Sequence, residues 1–241
     1  MRWILATILA ASHALSWAGQ FAVSPIRVEL AAKSKSEAIT VSNNGDAPLR
    51  IALELKRWTQ DASGNDVYVS APDELIYFPR QFELQPKQKQ VVRIARKTAS
   101  DTVEHAYRLY FNEQPNLPTD GEKGGQLAMV VSFGVPVFIQ PSTVNMNLQA
   151  SPFKIEQQKL SFTLSNEGNV TQRLNRITIG NQGAAINQFD NWYLHPGISR
   201  SYQLALPSNA CAGESPQRIV IETDRSPIIQ QLVIPKSACK N

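Results

Sequence analysis

Apolar and polar side chains alternate along this chain in short runs, each cut by turn residues. Ile39 and Val41 alternate with Thr40 and Ser42 ahead of Asn43-Asn44-Gly45-Asp46. Leu49, Ile51, Leu53 and Leu55 alternate with Arg50, Ala52, Glu54 and Lys56, and Asp61-Ala62-Ser63-Gly64-Asn65-Asp66 closes that run. A period of two lines every second side chain on one face of an extended strand. Runs of this kind, bounded by Gly, Asn and Asp, predict half-buried strands. Further strands are expected from Val91 to Ala95 and from Tyr107 to Asn112. No segment keeps a helical period over several turns, so the chain is all-β, built as a β-sandwich of short strands.

The pattern returns in the second half. Leu160, Phe162 and Leu164 alternate with Ser161, Thr163 and Ser165 before the turn Asn166-Glu167-Gly168-Asn169. Strands follow at Arg173 to Ile179 and around Tyr202, Leu204 and Leu206, and a hairpin closes on Asp224-Arg225-Ser226-Pro227. Pro141-Ser142-Thr143 marks the boundary between two β domains, residues 19–141 and 142–241.

The first 18 residues read as a leader. Met1-Arg2 is basic, Trp3 to Leu15 is mostly apolar, and Ser16-Trp17-Ala18 sets small residues three and one before a cut at Gly19. That three-part build is a secretory signal peptide, too short to span a bilayer. Export makes a disulfide between Cys211 and Cys239 chemically permissible, the alternative being two unpaired buried thiols. The net charge of +4 is spread along the chain. Nucleic-acid binding calls for a concentrated basic face, and none is present in the sequence.

One strand departs from the ordinary. From Leu127 to Ile139 it is long for a globular domain, and it follows a loop, Glu113 to Gly125, rich in Pro, Gly and charge. Leu127, Met129, Val131, Phe133 and Val135 fall on one face of it. Pattern alone allows two readings. In one, the face is the inside of a sandwich. In the other, the strand lies at a sheet edge and recruits a partner strand through its unpaired main-chain groups.

Four stretches, in this order and spacing, carry a family resemblance. They are Val23-Ser24-Pro25-Ile26-Arg27-Val28; Phe78-Pro79-Arg80-Gln81-Phe82-Glu83-Leu84-Gln85-Pro86 leading into Gln90-Val91-Val92-Arg93; Tyr107-Arg108-Leu109-Tyr110-Phe111-Asn112-Glu113; and Val135-Pro136-Val137-Phe138-Ile139-Gln140-Pro141. Over its mature length the chain resembles the PapD-like periplasmic pilus chaperones. The resemblance implies two immunoglobulin-like β-sandwich domains in series and a periplasmic location. It implies pilus subunits as partners, captured by donor-strand complementation and passed to an outer-membrane usher. The donor face would be Leu127, Met129, Val131, Phe133 and Val135. Such an edge also raises self-association of the free protein as a means of hiding it.

The family clamps a subunit's terminal carboxylate with two cations. Arg27 matches the first. The second is usually a Lys on the long strand, where this chain has Pro136, and Gln140 stands where the family often has Arg. These departures place the chain nearer the divergent, archaic branch and make Arg108 the candidate for the second cation. Asp224 and Glu113 are candidates for ion pairs between the domains.

No catalytic residue, metal site or cofactor is expected. His105 and His195 lie far apart without ligands at metal spacing and read as surface histidines. There is no nucleophile elbow and no phosphate-cradling Gly loop. Trp58 and Trp192 read as packing residues. The alternative function is an exported adhesin-like binding module or a pilus structural subunit.

Overall fold

The computed structural model describes residues 21–97, 99, 101–115, 130–180, 184–186, 192–206 and 216–234. The leader, both cysteines, Leu127 and Met129 lie outside them. The first half forms β1 (Phe21–Ser24), β2 (Val28–Leu30), β3 (Ser36–Asn43), β4 (Leu49–Gln60), β5 (Asp66–Ser70), β6 (Leu75–Phe78), β7 (Gln81–Leu84), β8 (Lys89–Arg96), β9 (His105–Gln114) and β10 (Ser132–Ile139). The second half forms β11 (Leu148–Ala150), β12 (Lys154–Glu156), β13 (Lys159–Asn166), β14 (Gln172–Ile179), β15 (Ala184–Ile186), β16 (Tyr193–Leu194), β17 (Ser199–Ala205), β18 (Gln217–Thr223) and β19 (Ile228–Leu232).

In the first half one sheet runs β1-β3-β8-β6 and the other β2-β10-β9-β4-β5, with β7 also on β4. Their inner faces meet in a single core that includes Ile39, Val41, Leu49, Ile51, Leu55, Ile94, Leu109 and Phe111. The second half packs β11-β13-β12, with β17 on β13, against β15-β14-β18-β19, with β16 on β14. Its separate core includes Leu160, Leu164, Ile177, Ile219 and Ile221. The alternating residues read from sequence supply both cores, and β18 and β19 form the closing hairpin. The chain is two all-β sandwiches in series.

The same corner occurs once in each sandwich. The last residue of β3 is Asn43, whose side-chain NH2 donates to Ala47 and Leu84 C=O while its Oδ1 accepts from Gly45 N–H. The last residue of β13 is Asn166, which donates to Val170 and Leu194 C=O and accepts from Gly168 N–H. Each amide satisfies main-chain groups that a buried turn would otherwise strand. A Cβ on Gly168 would sit 2.5 Å from Asn145 O, so glycine is required there.

β4 is 12 residues long and outruns the first sandwich. Its buried phase is odd-numbered through Leu55 and then switches to Trp58. Trp58 joins Ala106 and Phe138 in a third apolar cluster with Tyr68 of β5 and Tyr193 of the second domain. Beyond it, the Gln60 side chain donates to Tyr193 C=O and accepts from His195 N–H, each at 2.9 Å. The seam between the domains is thus an extension of the first domain's own strand. His195, expected at the surface, is only 7% exposed and packs 4.6 Å from the Trp58 ring. Burial there pushes its imidazole down to about 4. Trp192, by contrast, is 44% exposed.

Candidate functional site

β10 pairs antiparallel with β9 along its whole length, Ser132 opposite Asn112 through to Ile139 opposite His105. Its other side is split. β2 lies parallel to it from Val137 to Ile139 only. From Ser132 to Pro136, no strand among the described residues pairs with the outer edge.

The direction of each main-chain group follows from two hydrogen bonds. Glu113 N–H donates to Val131 C=O at 2.9 Å from the β9 side, so odd-numbered residues bond towards β9. Gln140 N–H donates to Leu30 C=O at 3.0 Å on the β2 side, so even-numbered residues address the outer edge. Ser132 and Gly134 therefore present N–H and C=O groups outward without a strand partner. Pro136 belongs to the same set. Its missing N–H is missing from the open side, and the β9 ladder loses nothing.

The side chains divide slightly earlier, between Phe133 and Val135. Val131 and Phe133 are 39% and 38% exposed. Val135, expected on the same open face, is fully enclosed in the first domain's core with Val137 and Ile139. The open row therefore ends at Phe133, because beyond it the odd-numbered face turns over the sandwich interior. Glu113, a candidate for an interdomain ion pair, instead accepts Val131 N–H on Oε2 at 3.1 Å and pins the start of the open stretch.

The opposite face of β10 looks towards the second domain. A Cβ on Gly134 would lie 3.0 Å from the Tyr110 ring, so glycine here lets that ring approach the strand closely. Pro136 is the cross-strand neighbour of Arg108 on β9, which in turn neighbours Lys56 on β4. Arg108 stacks 4.5 Å from the Trp58 ring and 5.7 Å from Tyr68. No carboxylate among the described residues pairs with it, and its buried Nε has no hydrogen-bond partner.

Arg27 sits just before β2 and contacts the far side of the same aromatic cluster, 4.7 Å from the Phe138 ring and 6.0 Å from Tyr193. The two arginines proposed from sequence thus flank one cluster, since Trp58 and Phe138 are 6.0 Å apart. Their partners differ. Arg27 Nη1 lies 2.5 Å from Asp224 Oδ2 and Nη2 lies 2.6 Å from Glu29 Oε1. Arg225 and Gln140 also reach Glu29, at 2.9 and 2.6 Å. Arg27 is therefore the centre of an ion network that ties the second domain's β18–β19 turn to the first domain.

Sequence reasoning missed Glu29, Arg225 and the aromatic seam. The phase switch in β4, from Leu55 to Trp58, was the available signal for the seam. Nothing in the sequence marked Glu29 or Arg225. Among the described residues there is no cluster of three or more metal-ligating side chains.

Residues 20–145 match the family described as pili and flagellar-assembly chaperone, PapD N-terminal domain. The probable fimbrial chaperone EcpB of Escherichia coli O157:H7 (strain EC4115 / EHEC) is 25% identical over 170 residues, covering 68% of this chain and 72% of that protein. The probable fimbrial chaperone EcpE of Escherichia coli O18:K1:H7 (strain IHE3034 / ExPEC) is 27% identical over 175 residues, 70% of each chain. A chain from the CsuC-CsuE chaperone-tip adhesion subunit pre-assembly complex of archaic chaperone-usher Csu pili of Acinetobacter baumannii superposes with a TM-score of 0.60. It is 17% identical and covers 88% of this chain and 98% of that one. A chain from the Salmonella enterica SafA pilin complex with the SafB chaperone gives 0.58 at 18% identity, covering 88% and 96%. The matched first domain spans more than half of the sequence, and the chain belongs to the PapD family of pili assembly chaperones.

Proposed function

We propose that this protein captures pilus subunits in the periplasm by lending them β10 as a missing strand, and that it passes them to an outer-membrane usher. The observation that carries this reading is the outer edge of β10, which has no strand partner among the described residues from Ser132 to Pro136. Unpaired edge groups beside exposed apolar side chains are the two things a strand-deficient fold needs. Family membership favours this reading over an adhesin-like module or a structural subunit.

The lane occupied by β2 suggests where the subunit's end would go. β2 runs parallel to β10 in the lane that no described strand fills from Ser132 to Pro136. A subunit strand lying parallel in that vacancy would aim its C-terminus at the start of β2, where Arg27 stands. A guanidinium suits a carboxylate because its planar fork binds both oxygens. Arg108 would be the second cation, moved one strand inward from Pro136 and free of any described carboxylate. Arg27 would have to share the newcomer with Glu29 and Asp224.

Magnitudes limit what the apolar row does by itself. Val131 and Phe133 are already more than half covered, so completing their burial contributes about 1 kcal/mol each. Micromolar binding needs about 8 kcal/mol. The remainder must come from main-chain hydrogen bonds, the cations and any further contacts along the edge. The test is co-purification of a pilin from periplasm with the parent protein and with a Val131→Asp, Phe133→Asp variant. The variant is expected to lose the pilin while its own thermal midpoint stays put. Retained capture at parent level would remove the edge from the function.

A further inference from the structure

Glu104, the residue before β9, is 6% exposed and lies in the seam. Its N–H donates to Asn169 C=O and its Oε1 accepts Thr171 N–H at 2.8 Å, both across the domain boundary. Its second oxygen is buried without a hydrogen-bond partner, and no cation among the described residues pairs with it. Glu104 also lines an interdomain cavity of about 300 Å³ together with Arg57, Trp58, His105 and His195.

The charges around it are specific. Arg27, just before β2, and Glu29, within it, act on it with opposite signs. Asp224 and Arg225 of the second domain are engaged with those two. Arg57 is paired with Glu74, and exposed His105 is paired with Asp101. His195 is held neutral by burial. Burial pushes the Glu104 carboxyl up to about 7, although the Thr171 hydrogen bond and the Arg27 charge pull it back.

We propose that subunit capture is coupled to proton uptake at Glu104, through the charge on Arg27. This rests on the reading that a subunit's terminal carboxylate arrives at Arg27. Ala106, two residues after Glu104, pairs with Phe138, and the Arg27 guanidinium lies 4.7 Å from that ring, so the Arg27 charge stands at the end of β9 that Glu104 precedes and favours its ionised form. A carboxylate docked on Arg27 cancels part of that field and leaves Glu104 more basic. Linkage is reciprocal: neutral Glu104 must then favour the docked carboxylate by the same factor. Glu104 touches neither partner, so it acts as a positioning residue through Arg27.

The test uses the full mature chain and a short soluble peptide with apolar residues at alternate positions, made with a free α-carboxylate and as its C-terminal amide. Binding of the carboxylate peptide is expected to weaken about tenfold from pH 6 to pH 8.5, the effect of a one-unit coupling. Calorimetry in two buffers of different ionisation enthalpy is expected to show uptake of a fraction of a proton near neutral pH. Glu104→Gln should bind at pH 8.5 as the parent does at pH 6, with a flat profile and no proton uptake, while His105→Gln keeps the parent slope. If Glu104→Gln fails to fold, proton uptake by the parent with the carboxylate peptide and not the amide decides. Equal affinity at both pH values without proton uptake overturns the coupling alone. Failure of the carboxylate peptide to bind at any pH overturns the capture reading and the coupling with it.

Discussion

β10 is one strand with two fates. Both halves pair with β9 in continuous register. From Val137 on, β2 fills the outer lane and the odd-numbered side chains are core. Before Val137 the lane is vacant among the described residues and the odd-numbered side chains at 131 and 133 are open. The difference lies in neighbours, not in composition: Val, Phe, Val and Val occupy positions 131, 133, 135 and 137. A run of like residues is stabilising from Val135 onward and, on the proposed reading, functional at Val131 and Phe133.

The largest effect should come from exchanging the two halves. Val137→Asp places a charge in a site with no exposure, and a loss of about 4 kcal/mol or more is expected. Chemical denaturation should find it largely unfolded. Aspartates at Val131 and Phe133 should shift the same denaturation midpoint by less than about 1 kcal/mol. Equal losses at both places would mean that the two halves are one core.

Next come the cations. Arg27→Ala should cost subunit capture more than Arg108→Ala, and it should also loosen the seam, because Asp224 loses its cross-domain ion pair while Glu29 keeps only the pair with Arg225. Arg108→Ala should cost capture about tenfold with little change in the ion network, as expected for one charge-assisted contact. Dissociation rates of a purified complex would separate them, and a stronger effect at Arg108 would reverse the assigned roles.

pH separates the seam from the edge. Glu104 has a folded value raised to about 7, so its contribution to stability is present at low pH and lost as pH rises through 7. His195 is depressed to about 4, so its contribution is present above the ordinary histidine range and lost as pH falls towards 4. From pH 8 to about 6.5 only Glu104 should act, and stability should rise. Below that the two oppose each other and the curve should flatten. Glu104→Gln should erase the rise, and thermal midpoints across this range would show it.

The smallest effect is expected at Pro136. Its nitrogen faces the open lane, so Pro136→Ala removes no hydrogen bond from β9 and should change stability by less than about 1 kcal/mol. A large loss would mean that the strand's phase is the reverse of the one deduced from the Val131 and Gln140 hydrogen bonds.

Much of the fold was legible because strands bury alternate residues. Ile39, Val41, Leu49, Ile51, Leu160 and Leu164 announce their faces by spacing alone. The paired Asn-x-Gly turns at Asn43 and Asn166 were also legible as turns, though not as buried hydrogen-bonding corners. Val135 misled because it has the same spacing as Val131 and Phe133. Its burial depends on β3, β8 and the rest of the sandwich closing over it, and periodicity carries no information about what lies opposite a face. His195 misled for a similar reason: its burial is made by Trp58, more than a hundred residues earlier in the chain.

Local rules acting on the sequence thus determined which segments are strands, which residues each strand can bury, and where the chain turns. The tertiary structure alone decided which edge was left open. That depends on β2 being three residues long and beginning only at Val28, after the segment Ser24-Pro25-Ile26-Arg27 has carried the chain over from the other sheet. It also decided that Arg27, Arg108 and Glu104 gather at one seam. Long-range pairing sets those neighbours, and charges interact through space rather than along the chain.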